Sequence, residues 1–359
     1  MERMVLTNDP VLQEDLERIA ADEQICWEKL KDRTILVTGA TGLIGSVAAR
    51  ALVLAGAARD LHLKVLALIR NEEKGKQMLG SCLPYGLSFV KGDIARPLDI
   101  PEKVDFIIHG ASVTTSRDFV EHPVETIRTT YAGTENVLQF AKEQKIEGMV
   151  YLSSMEAYGV VDPAHFEVRE TDYGYIDPLQ PRSSYSEGKR IAEGLCAAYA
   201  HEYGLPVKIA RLAQTFGAGV PAAENRVFAQ FAKSVIRGED VVLHTDGSKA
   251  HCYCYTSDAV RGILTVLLEG RSGEAYNVSN EETFCSIREM AELVIKSYPR
   301  SGSSLVFDIP EDSEKYGYAP PSRMLVNAEK LRALGWQAHV GMKEMYARLI
   351  CSMEEAWKK

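Results

Sequence analysis

The run TILVT (34–38) passes directly into GATGLIG (39–45), and that into SVAARALVLAG (46–56). Three glycines at intervals of three, Gly39, Gly42 and Gly45, therefore stand between a short apolar segment of strand character and a longer one of helical character. In that setting a glycine turn is the fingerprint of a dinucleotide-binding βαβ unit. The first glycine permits the tight turn, and the second lets backbone approach a pyrophosphate. The third lets the helix pack close to the strand, and the helix N-terminus favours the anion. On this reading Gly39, Thr41, Gly42, Leu43, Ile44 and Gly45 form the cofactor loop. The plainer alternative is a glycine turn with no ligand.

The rest of the chain repeats the alternation. KVLALIR (64–70), LSFVKGD (87–93), VDFIIHGAS (104–112), MVYLSS (149–154) and VKIARLA (207–213) predict strands, and 44–55, 123–144 and 185–203 predict helices. Strands separated by helices imply an α/β, Rossmann-type doubly wound parallel sheet. After residue 215 the pattern loosens into short segments between Gly, Pro and Ser turns, as expected of a smaller C-terminal α/β substrate lobe. The expected division is therefore an N-terminal helical extension (1–33), a dinucleotide-binding domain (34–215) and a lobe (216–359) whose chain crosses back to the first domain. Residues 10–30 carry apolar residues at helical spacing and predict a leading helix outside the main fold, acting as a packing arm.

The formal net charge of -9 and the lack of a Lys/Arg-rich block argue against nucleic acid as a partner. No apolar run approaches the roughly 20 residues needed to span a bilayer, and no basic-then-apolar signal layout opens the chain, so neither a membrane nor export is expected. Seven scattered cysteines fit reduced thiols and a cytoplasmic setting. Cys252 and Cys254 alternate with Tyr253 and Tyr255 as a strand would, and no second ligand pair accompanies them, so no metal is expected.

Which dinucleotide binds turns on the end of the second strand. An acidic residue there would bind the adenosine ribose and favour NAD. Arg70 stands there instead, which leaves NAD or NADP open and tilts toward NADP, unless Arg70 is simply a solvated residue at a strand end. Asp93 and Ile94 end the third strand, where Asp93 either meets the adenine amino group or caps its own turn. Gly110, Ala111 and Ser112 follow the fourth strand toward the same cofactor, and His109 lines that pocket by position without an assigned proton.

The segments YLSSMEAYG (151–159) and SSYSEGKRIAE (183–193) carry the chemistry. Tyr185 and Lys189 are four apart on a helix and share a face. An ammonium beside a phenol lowers its pKa, so a phenolate can take a hydroxyl proton while hydride leaves the same carbon. Ser153 or Ser154 can hold the substrate oxygen.

With these residues the sequence resembles the extended short-chain dehydrogenase/reductases, in the branch that epimerises, dehydrates or decarboxylates nucleotide sugars. The resemblance runs from Thr34 to the C-terminus on GATGLIG, GDI (92–94), HGAS (109–112), SSMEAYG, YSEGK, RLAQTFG (211–217), GEAYNVSN (273–280) and LGW (334–336). It implies that Ser154, Tyr185 and Lys189 are catalytic, with Tyr158 as the spacing landmark, and that Lys189 also binds the nicotinamide ribose. Glu156 stands where 4,6-dehydratases and UDP-glucuronate decarboxylases carry a catalytic glutamate; as a plain reading it is a helix-start residue. PRSSYSEGKR (181–190), with Arg182, is most like the decarboxylases. Three departures bear on the substrate. Met155 replaces the acid that hexose dehydratases use on the leaving hydroxyl. Gln214 replaces an asparagine that touches the sugar nucleotide. His251 replaces an arginine that binds the diphosphate and cannot make its bidentate contact. Arg226 is either a phosphate contact or a surface residue. The resemblance further implies a homodimer through the helices at 123–144 and 185–203.

The leading expectation is an enzyme that oxidises a nucleotide sugar at C4 with a bound nicotinamide cofactor and then decarboxylates, dehydrates or epimerises it. The alternatives are an NADPH-dependent net reductase of a keto-sugar or other carbonyl compound, and a non-catalytic dinucleotide-binding scaffold or sensor.

Overall fold

The computed structural model describes residues 3–309 and 322–357. Helix α1 (Pro10–Ala21) precedes a regular alternation: β1 (Thr34–Thr38), α2 (Leu43–Ala58), β2 (Lys64–Ile69), α3 (Glu72–Leu79), β3 (Leu87–Lys91) and β4 (Phe106–His109). There follow α4 (Ser116–Glu121), α5 (Pro123–Gln144), β5 (Gly148–Ser154), β6 (Glu167–Val168), α6 (Ser183–Tyr203), β7 (Val207–Leu212) and β8 (Gln214–Phe216). The remainder is α7 (Val227–Arg237), β9 (Val241–Leu243), β10 (Ala250–Tyr255), α8 (Thr256–Glu269), β11 (Ala275–Val278), β12 (Asn280–Ser286), α9 (Ile287–Ser297), β13 (Leu305–Phe307), β14 (Arg323–Val326), α10 (Glu329–Arg332) and α11 (Met342–Trp357).

Seven strands form one parallel sheet in the order β11-β7-β5-β4-β1-β2-β3. Its inner strands are apolar throughout because helices cover both faces; every residue of β4 and β7 is buried. The strand order reverses between β1 and β4, and ligands of open α/β sheets bind outside the carboxyl ends at such a point. A second sheet runs β12-β10-β14-β6, with β8 also paired to β10. The chain crosses between the sheets repeatedly. β6 joins the second sheet ahead of α6, and β11 returns to the edge of the first. Among the described residues no helix is long and apolar enough to cross a membrane.

The N-terminal segment departs from expectation. The helix ends at Ala21, and Trp27–Leu30 form a separate 3-10 turn. α1 is no outlying arm: Leu12, Leu16, Ile19 and Ala20 are buried in the same core cluster as Val47, Ala51 and Ala55 of α2. Asp9 caps α1 by accepting from the Val11 and Leu12 N–H groups. Asp15 goes further in, its carboxylate accepting from the Tyr255 hydroxyl at 2.6 Å and pairing with Arg348 of α11 at 2.7 Å. An apolar stripe on one face needs a partner surface, and the small side chains of α2 leave room for it.

Candidate active site

The cofactor loop is shaped by missing side chains. Gly39 leaves β1 at φ +70°, a conformation L side chains rarely adopt, and a Cβ there would lie 2.7 Å from the Gly110 carbonyl carbon. Gly39 thus lets the Gly110–Ser112 backbone close in from the end of β4. A Cβ on Gly45 would lie 2.2 Å from the Gly39 carbonyl oxygen, so α2 can start only on a glycine there. Gly42 caps α2 without a side-chain hydrogen bond and is exposed, with Thr41, Leu43 and Ile44 half-buried around it. The first-turn N–H groups of a sixteen-residue helix are thereby left to an anion. The loop fits a dinucleotide pyrophosphate. Gly45→Ala is expected to abolish measurable NADH binding in a fluorescence titration and to lower the thermal unfolding midpoint; unchanged binding would contradict this account of the loop.

The flanking residues divide. Arg70 is exposed, one residue past β2. Asp93 accepts the Ala95 N–H at 3.0 Å and so caps its own turn, while the Ile94 side chain is buried against Gly133 of α5. Ser112 is half-buried and donates to the Val113 carbonyl. His109 is fully buried and does not line an open pocket. Its Nδ1 lies 2.7 Å from the Thr38 hydroxyl and its Nε2 3.2 Å from that of Thr134. Burial, with Lys189 nearby, pushes its pKa down to about 3, so it is a neutral bolt between β1, β4 and α5.

At the end of β5, Ser153 and Ser154 point to different work. Ser153 is buried and donates to Glu193. Ser154 is half-buried, accepts the Glu156 N–H at 3.2 Å and lies close enough to Tyr185 to act on its hydroxyl. Tyr185 lies in the first turn of α6, its ring stacked on Phe119 of α4 with centroids 4.2 Å apart. One turn on, the Lys189 ammonium donates to the Leu152 carbonyl at 2.8 Å and sits 5.6 Å from the Tyr185 ring centroid.

The expected lowering of the phenol by Lys189 is not what the structure has. Burial, then the Glu156 charge, raises the Tyr185 hydroxyl above its usual value, opposed by the Ser154 hydroxyl, Arg226 and Arg182. Lys189 is turned toward β5, and its own pKa is brought down to about 8 by burial, with Glu193 and Cys196 opposing.

The substrate side gathers charges from distant segments. Arg182 grips Glu156 at 3.1 Å. Arg226, just before α7, pairs with Glu224 at 2.7 Å, lies over the Phe228 ring at 5.0 Å and acts electrostatically on Tyr185. Gln214 opens β8, half-buried and in register with Tyr253. His251 is buried on β10, its Nε2 3.3 Å from the Ser322 hydroxyl. Among the described residues its Nδ1 has no hydrogen-bond partner. Burial, then Lys249, pushes the His251 pKa down to about 3, so it is uncharged.

Lys249 is the residue the sequence did not announce. Burial lowers its pKa, the Glu156 charge raises it and Arg182 lowers it again, so Lys249 lies within electrostatic reach of both. In DGSKAHCYC it reads as a turn lysine, and it stands one residue before β10, the strand that carries His251.

A family model described as the NAD dependent epimerase/dehydratase family matches residues 35–279. The UDP-glucuronic acid decarboxylase 1 of Danio rerio is 31% identical over 316 residues, covering 88% of this chain and 71% of its own. A dTDP-glucose 4,6-dehydratase structure from Streptomyces venezuelae, solved with NAD, has a TM-score of 0.71 at 26% identity over 90% of this chain and 98% of that one. An epimerase structure from Methanothermobacter thermautotrophicus shares the fold at a TM-score of 0.75 and 22% identity, covering 98% of each chain.

Proposed function

The chain belongs to the NAD-dependent epimerase/dehydratase family of extended short-chain dehydrogenase/reductases, and we propose that it decarboxylates a nucleotide-linked hexuronic acid, acting as a lyase with a recycled nicotinamide cofactor. One observation carries the choice of substrate. Arg182 pairs with Glu156 at 3.1 Å near Tyr185, and Lys249 carries a second positive charge in the field of the same carboxylate. The cluster has one positive charge in excess, which suits one added carboxylate, as on C6 of a uronic acid. A neutral hexose carries no such charge on its ring.

When bound, the nicotinamide supplies the hydride acceptor and later the hydride donor. Ser154 and Tyr185 together hold the sugar 4-hydroxyl, and Tyr185 moves its proton. Oxidation at C4 turns a C5 carboxylate into a β-keto acid. The C5–C6 bond then breaks, CO₂ leaves, and the electron pair passes to the C4 oxygen as an enolate. Glu156 is the acid–base group for C5, oriented by Arg182. Met155 is buried and offers no acid for dehydration of a 6-hydroxyl, in keeping with decarboxylation. The proposed division of labour puts the cofactor on 34–215 and the substrate mainly on 216–359, with α8 and β11 serving the first sheet.

Incubating the protein with NAD and UDP-glucuronic acid is expected to give a nucleotide-pentose one CO₂ lighter by mass spectrometry, with no net NADH; a 4-epimer of unchanged mass would replace this reading. Lys249→Met is expected to raise KM for the uronic acid about 10-fold or more, as loss of a bond to a charged group does, and to leave NADH affinity alone. An unchanged KM would remove Lys249 from the substrate site.

A second reading, an NADPH-dependent net reductase, is favoured by Arg70, exposed where a cation would meet a 2′-phosphate. Comparing the Kd values of NADH and NADPH decides it. We also propose a cytoplasmic homodimer through α5 and α6, which expose Val124, Tyr131, Ile191 and Tyr203; light scattering tests the dimer.

A further inference from the structure

The N-terminal helix reaches the substrate side of the molecule through two hydroxyls. Asp9, besides capping α1, accepts from the Ser352 hydroxyl of α11, and Ser352 in turn accepts the Gly219 N–H at 3.0 Å. Asp15, further along α1, accepts from the Tyr255 hydroxyl at 2.6 Å, and that hydroxyl accepts the Ala218 N–H at 3.3 Å. Arg348 of α11 completes the group, bonding the Tyr255 oxygen at 3.2 Å and Asp15 at 2.7 Å. Gly219 stands at φ +81°, and a Cβ there would lie 3.2 Å from Leu12 of the same helix. Two successive backbone N–H groups are therefore each one hydroxyl away from a carboxylate of α1. Asp15, Tyr255 and Ser352 are all buried. A polar chain satisfied in the interior fixes geometry more firmly than apolar contact does.

What it fixes is the segment leaving the catalytic edge of the first sheet. Leu212, the last residue of β7, is in register with Ser154 of β5. Gln214 follows two residues later, beyond the carboxyl end of that strand, where ligands of such sheets bind. The chain then runs through the Ala218–Gly219 turn to Arg226 at the start of α7. Residues 217–226 lie in no strand or helix, so side chains from elsewhere must set their path.

We propose that Asp9 and Asp15 are positioning residues for the substrate: through Ser352 and Tyr255 they hold the Ala218–Gly219 turn, and with it the segment from Gln214 to Arg226. The proposal deepens the functional reading above and rests on it, since that reading lays the sugar nucleotide beside Ser154. A segment already ordered costs less entropy to bind against, so its anchoring favours substrate affinity without touching the reacting carbon.

The test is the double variant Tyr255→Phe/Ser352→Ala. It removes both hydroxyls and leaves the Asp15–Arg348 pair and the α1 cap in place. Thermal unfolding checks its fold, and two measurements follow. The first needs no substrate: trypsin cleavage after Arg226, mapped by mass spectrometry, follows local opening of the segment. It is expected to be about 10-fold faster, the scale of two lost hydrogen bonds. The second is steady-state turnover of UDP-glucuronic acid. KM is expected to rise about 10-fold, with kcat and NADH affinity within about two-fold of wild type. A folded double variant with unmoved cleavage would overturn the proposal, and faster cleavage with an unmoved KM would overturn the positioning role. Should the double variant not fold, Ser352→Ala alone is expected to move both readings about three-fold, and unmoved readings would again overturn the proposal. An inactive wild type would sink the functional reading, and the cleavage rate would still decide whether α1 holds the segment.

Discussion

Tyr185→Phe is expected to lower turnover of UDP-glucuronic acid by about 10³-fold, the usual scale of a lost acid–base group, while leaving NADH affinity within about two-fold of wild type. The substitution is close to a single-atom change. The ring stays stacked on Phe119, since phenylalanine keeps the same face. Lys189 keeps its bond to the Leu152 carbonyl, which does not involve the phenol. The glycine loop lies on another segment and is shaped by backbone contacts alone. What disappears is the hydroxyl close to Ser154, the group that takes the sugar proton. Steady-state kinetics with a parallel NADH titration separates the two effects. A rate near wild type would remove Tyr185 from the chemistry.

Glu156→Gln is expected to separate the two halves of the reaction. Oxidation at C4 needs Ser154, Tyr185 and Lys189, all of which remain, and losing the Glu156 charge removes one cause that raises the Tyr185 hydroxyl. The later step at C5 loses its carboxylate and slows by about 10²-fold or more. Glutamine can still accept from Arg182 through its amide oxygen, so a hydrogen bond from the guanidinium replaces the ion pair and the side chain stays in place. A single turnover should therefore build up reduced nicotinamide absorbance together with a 4-keto sugar, and the absorbance should persist. Product formed at the wild-type rate with no such build-up would make Glu156 a structural residue at the start of its turn.

Much of the parallel sheet was legible because its signals are local. TILVT–GATGLIG–SVAARAL declares strand, turn and helix within some twenty residues, and continuous apolar runs mark the buried strands; the placing of β1 between β2 and β4 comes from the structure alone. The α5 helix occupies the predicted 123–144 for the same reason, bounded by Pro123 and a left-handed Lys145. What was hidden depends on chain crossings. The leading helix reads as amphipathic, but nothing in its sequence says that its apolar face belongs to α2. Lys249 and Arg182 are far apart in sequence; Arg182 reaches Glu156 from the start of α6, while Lys249 enters its field from the edge of the second sheet, just before β10. The Tyr185–Lys189 spacing was correct, yet the inferred effect on the phenol was not. Four residues along a helix give proximity, while burial and a nearby carboxylate outweigh it. His109 was similarly misread as lining a pocket, because position relative to the loop says nothing about which side of a strand is covered.

The most direct test of the central claim, a hydride removed from C4 and returned there around a decarboxylation, uses UDP-glucuronic acid carrying deuterium at C4. The protein is incubated with NAD and the nucleotide sugar is examined by mass spectrometry and NMR. The account predicts a nucleotide-pentose that has lost CO₂ and still carries deuterium at C4. Deuterium released on free reduced cofactor, or a sugar nucleotide that keeps its carboxylate, would contradict it.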